Sequence, residues 1–139
     1  MGYWGVKSYE NDLADEALDA GFDRVHGEIY DELMDDRNPL TFEQVQAKLA
    51  NAETLATAIA AVRESAEQEQ PDAPPESWDE ETRLALAGVV VRHAELGVPI
   101  PDEWKSRAIE WLENEEIEWD EATVRGLRRQ KEIALLRNV

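Results

Sequence analysis

Apolar residues recur every three or four positions along much of this chain, the spacing that places side chains on one helical face. From Asn11 or Asp12 onward, Ala14, Leu18, Phe22, Val25, Ile29 and Leu33 make one such stripe, predicting a long helix that ends near Met34. Asn38-Pro39 closes that segment, since a residue before proline is pushed out of helical backbone. Thr41 with Gln44 three residues on has capping-box spacing and opens the next helix, with Phe42, Val45 and Leu49 turned inward. After an interruption at Asn51, Leu55, Ile59 and Val62 mark a helix from Glu53 to about Glu69. Pro71 to Ser77 (PDAPPES) is a stiff, proline-rich connector. It reads as a link within one domain, because neither side is large enough to stand alone comfortably.

The pattern changes between Trp78 and Leu96. Leu84 to Val91 (LALAGVVV) is the longest apolar run, and only a segment covered on most sides needs that composition. Three consecutive valines also suit a strand, but the flanking residues continue without a turn signal. A start at Ser77 or Asp79 and a stop at Gly97 before Pro99 frame a helix. A further helix is predicted from about Asp102 to Asn114, with Trp104, Ala108, Trp111 and Leu112 on its apolar stripe. Both tryptophans are expected to close the core over the central helix. In the last helix, from Asp120, Trp119 and Val124 have hydrophobic-staple spacing. It carries Arg125, Arg128, Arg129, Lys131 and Arg137 against a single Glu132, and the chain's own carboxylates are the expected neighbours. The expected fold is therefore all-α: a single domain over 1–139, about six helices packed around a central apolar helix at 78–96. Trp78-Asp79-Glu80 echoes in Trp119-Asp120-Glu121, which recurrent helix-start chemistry explains without a repeat architecture.

Charge then changes the picture. The 139 residues hold 32 acids and 14 bases, a formal net charge of −18. Residues 1–76 carry 18 of those acids and only 5 of the bases. That sign disfavours direct binding to nucleic-acid phosphates or to an anionic membrane. No run approaches the roughly 20 apolar residues of a membrane helix, and the first residues do not form a basic-then-apolar signal segment. A soluble, cytoplasmic protein is expected. Without cysteine there are no disulfides and no thiolate metal sites. Asp23 and His26 stand three apart on one helix but lack the further glutamates that bundle metal sites use, so neither metal nor cofactor is expected. His26 and His93 read as hydrogen-bonded structural histidines. Trp4, between Gly2 and Gly5, reads as an aromatic anchor.

Met1-Gly2-Tyr3-Trp4-Gly5 followed by Tyr9-Glu10-Asn11-Asp12 resembles the opening of a bacterial family, domain of unknown function 4259. The resemblance is specific over about twelve residues. Leu13 and Ala14 depart from the Asp and Trp that commonly follow in that family. It implies a small helical bacterial protein and supplies no activity. Function is therefore read from charge placement. Asp12, Asp15, Glu16, Asp19 and Asp23 should form one acidic strip on the first helix, fit to dock a basic partner protein. The expectation is a non-enzymatic interaction module of the immunity-inhibitor or nucleic-acid-mimic kind. The alternative is a small enzyme or ligand-binding protein with an inter-helix pocket using Trp4, His26 or His93.

Overall fold

The computed structural model describes residues 7–35, 37, 39–69, 71–72, 74–115 and 122–138. Among these the elements are all helical: α1 (Asp12–His26), α2 (Glu28–Leu33), α3 (Phe42–Leu49), α4 (Ala52–Glu69), α5 (Glu80–Glu95), α6 (Asp102–Glu113) and α7 (Ala122–Arg137). A 3-10 turn at Pro75–Ser77 ends the proline-rich connector. No helix of the described residues is long and apolar enough to cross a membrane.

The all-α bundle expected from the spacing is present, and α5 is its centre. Every residue from Leu84 to Ala94 is buried. Asp79 rather than Ser77 caps this helix, its side chain accepting the Thr82 N–H at 2.8 Å. α1, α4, α6 and α7 all pack against α5, and α1 also packs along α4. Trp111 fills the space beside α5 and lies 6.4 Å from the Trp78 ring, both indoles nearly closed off. Trp104 is only partly buried. Its ring is flanked by the guanidiniums of Arg107 at 4.9 Å and Arg63 at 5.7 Å, so it finishes the edge of the core rather than its middle.

Three expectations need correction. The first helix does not run unbroken to Met34: Gly27 adopts φ +54°, ψ −118°, ending α1 and starting α2 in a new direction. That backbone region is open to glycine and strained for other residues. Val25 is consequently only partly buried and Ile29 is 56 % exposed. The separate α2 also raises the helix number above six. Phe42, expected inside, is 47 % exposed. It shares a face with the buried Val45 and Leu49, but at the first turn of α3 that face runs out past the core. Of the staple expected between Trp119 and Val124, Trp119 and the Asp120 cap lie outside the described residues, as does Trp4; Val124 itself is 58 % exposed.

Candidate partner-binding face

The face is built from α1. Asn11 caps it, accepting the Ala14 N–H at 2.9 Å while its amide donates to the Ser8 carbonyl at 2.9 Å. One side chain thus fixes both the helix start and the segment leading into it. With Ala14, Ala17, Leu18, Gly21 and Phe22 buried on the inner side, Asp12, Asp15, Glu16, Asp19 and Asp23 are all exposed on the opposite one. None of the five makes an ion pair with another described residue. The Asp15 carboxyl is raised above its ordinary value, first by partial burial and then by the charges of Asp19, Asp12 and Glu16. Asp19 accepts a hydrogen bond from the Tyr30 hydroxyl at 2.6 Å, a contact that exists because Gly27 turns α2 back under α1. Burial and that bond together push the Tyr30 hydroxyl up. Tyr30 stacks on Phe22 and Phe22 on His93, with centroids 5.8 Å and 6.0 Å apart, so the strip stands on a column of rings reaching into the core.

Several arginines are turned inward instead. Glu132 on α7, 1 % exposed, accepts both the backbone N–H and the hydroxyl of Ser8 at 3.0 Å. Arg128 Nε and Arg129 Nη1 approach the same carboxylate at 3.2 Å and 3.3 Å. Burial pushes the Glu132 carboxyl up, against the pull of Ser8 and the two guanidiniums. Arg129 also holds Glu115, and Arg128 Nη2 reaches Glu95 at 2.6 Å. Burial alone would raise the Glu95 carboxyl, but hydrogen bonds from Tyr9 and Arg128 outweigh it and hold it low. Arg92 donates to Gln46 at 2.6 Å and lies 5.3 Å from the centre of the Tyr9 ring. The segment Ser8–Tyr9 therefore crosses α5 and is fastened to α5 and α7. It crosses at Gly88, where an added Cβ would sit 2.5 Å from the Ser8 carbonyl oxygen. That close approach requires glycine.

Both histidines are hydrogen-bonded within the fold. His93 is fully buried, its ring nitrogens at 2.9 Å from Thr54 Oγ1 and 3.1 Å from the Val89 carbonyl. Burial pushes its imidazole down to about 4. His26 Nε2 sits 2.7 Å from the Leu49 carbonyl. No described group of histidine and carboxylate side chains could hold a metal ion. The surface clefts of the described residues are small. One of about 220 Å³ lies between the 3-10 turn, α5 and α6, beside Arg107 and Trp111; one of about 240 Å³ lies between α1 and the start of α5. Another of about 150 Å³ separates α1 from α3. A more open one of about 350 Å³ is lined by Glu95, Arg128, Lys131, Glu132 and Leu135, with Arg128 paired to both glutamates. Small-molecule pockets span roughly 300–1,000 Å³. Neither His26 nor His93 lines any of these clefts.

Sequence reasoning placed all five strip residues on one face. It missed Phe42 and Glu43, which the fold sets beside Asp15 across the cleft between α1 and α3. Comparison with known proteins returns no match: no family model, no curated protein and no solved structure is recognisably similar to this chain. The likeness to domain of unknown function 4259 thus rests on the residues quoted for it alone.

Proposed function

We propose that this protein is a non-enzymatic docking module whose α1 face engages a basic surface of a partner protein, in the manner of an immunity-type inhibitor or a nucleic-acid mimic. One observation carries the reading. Five exposed carboxylates share one face and make no ion pair with another described residue, while Arg92, Arg128 and Arg129 are turned inward onto other groups. Like charges three and four residues apart on a helix repel, so the strip costs a little stability in the isolated protein. A basic partner would relieve that repulsion and would be steered in by the field of a −18 chain. His93, a catalytic candidate of the alternative reading, is sealed in the core and lines none of the clefts described, which gives catalysis no comparable support.

The test is recovery of a basic protein from the native cell at low salt, compared between the wild type and an Asp15→Lys, Asp19→Lys, Asp23→Lys variant. Binding that weakens steadily with salt and vanishes in the variant, with melting unchanged, supports the reading. Retention of the same partner at the same affinity by the variant defeats it.

A further inference from the structure

The cleft between α1 and α3 sits at one edge of the acidic strip and has a different chemistry from the strip itself. Its apolar part is Phe42, 47 % exposed, with Leu18 behind it. Phe42 is held by rigid structure, not by a loop. Thr41 and Gln44 form a reciprocal capping box around it, with bonds of 3.2 Å and 2.9 Å, so its position is fixed before anything binds. Its acidic part is Asp15 from α1 and Glu43 from α3, neither bonded to another described side chain. Glu10 also lines the cleft, but its carboxylate already accepts the Lys7 backbone N–H at 3.0 Å. Two cations, Lys7 and Arg92, line the cleft as well and are engaged elsewhere. Each lies over the Tyr9 ring, at 5.8 Å and 5.3 Å, and Arg92 is further tied to Gln46 and Glu95. An exposed aromatic ring, two open carboxylates and a space of about 150 Å³ remain. That volume is too small for a typical metabolite and suits one side chain.

We propose that this cleft receives an arginine side chain of the basic partner, with the guanidinium lying against the Phe42 ring and facing Asp15 and Glu43. The inference rests on the docking reading and names the contact that anchors it. Arginine fits better than lysine for physical reasons. Its guanidinium is planar, less strongly hydrated than an ammonium, stacks on aromatic faces and offers several donors to carboxylates at once. Partial burial first, and then the charges of Asp19, Asp12 and Glu16, raise the Asp15 carboxyl, and an arriving guanidinium would offset the latter.

A titration of the ¹⁵N-labelled full chain with N-acetyl-arginine-N-methylamide, followed by amide chemical shifts, tests this without the partner. The neutral citrulline analogue, nearly the same in shape, is the control. Saturable shifts centred on Phe42, Glu43 and Gln46 are expected with the arginine probe and not with citrulline. Phe42→Ala should weaken the probe about two- to fivefold, the worth of a cation–π contact at an exposed site. Asp15→Asn should weaken it as well, and neither exposed substitution should disturb the rest of the spectrum. Non-saturating shifts spread along α1, or a titration unchanged by Phe42→Ala, overturn the assignment. The two ideas fail separately. A basic partner lost on charge reversal, with no arginine binding at the cleft, removes the cleft and keeps the docking face. Saturable arginine binding without any basic partner in the cell removes the docking module and keeps the cleft.

Discussion

Helix α1 displays all five of its carboxylates to solvent, whereas α7 buries Arg125, Arg129 and Glu132 and ties Arg128 to two glutamates. Both helices are strongly charged, with opposite sign, yet their charges do different things. In α7 they replace water with each other: the carboxylate of Glu132 has four protein donors around it. In α1 they keep their water and repel. A consequence is that Arg92, Arg125 and Arg129, buried among other groups, leave the acidic surface with fewer of the chain's bases than the composition suggests. The contrast also sets how each helix should respond to substitution. Taking one member from a buried, paired group leaves a stranded charge, whereas altering an exposed one changes little.

The largest expected effect is therefore at Glu132. Glu132→Ala leaves the two buried Ser8 donors without their acceptor and takes a carboxylate from both Arg128 and Arg129, and should cost roughly 3–5 kcal/mol in urea unfolding. A loss below about 1 kcal/mol would show that α7's pairs are no tighter than surface ones and would erase the contrast. Next comes pH, where the buried histidine of α5 and the exposed Asp15 of α1 act with opposite sign. The native fold refuses a proton at His93 that the unfolded chain accepts near pH 6.5. Stability should fall as pH drops from about 6.5 to about 4, by on the order of 3 kcal/mol. The raised Asp15 acts the other way, because protonating it relieves repulsion, so stability rises as pH falls through its native value. Urea midpoints measured against pH should lose most of the downward slope between pH 6.5 and 4 in a His93→Gln variant. A slope unchanged by that substitution would assign the loss to other groups. Gly88→Ala follows, at about 1–3 kcal/mol, since its methyl would collide with the Ser8 carbonyl and with Tyr9 Cα at 2.9 Å. A neutral outcome would mean the segment over α5 shifts freely. Smallest is Asp15→Asn, expected to raise stability by a few tenths of a kcal/mol in a thermal melt at low salt, with the gain shrinking as salt is added. A clear loss instead would mean that Asp15 has a structural task inside the molecule.

Much of this was legible beforehand because it depends on neighbours in sequence. Asn11, Thr41 and Asp79 cap helices from their own first turns. The LALAGVVV run could hardly be anything but central. The break at Gly27 was missed because a glycine inside a continuing apolar period is compatible with helix, and only the fold shows it at positive φ. Phe42 lies on the predicted face. The period gives a direction but not where the core ends, so its exposure could not be read. Arginines facing their own chain's carboxylates were anticipated for α7. Which carboxylates they meet depends on Ser8, Glu95 and Glu115 arriving from three other places. The acidic strip needed only spacing, whereas the cleft beside it needed α3 to be set against α1.

The Ser8–Glu132 contact joins residues 124 positions apart. During synthesis, Ser8 and the Gly88 slot that receives it both exist well before Glu132 does. Until α7 has been made and docked, the segment over α5 lacks its fastening to α7, and one side of the deeply buried α5 depends on a closure still to come. Packing of α1 on α4 can proceed early from nearer contacts, but this closure is a long loop and comes at a large entropic cost. Chains cut short before residue 132 should therefore be held by chaperones or cleared, not accumulate as folded protein.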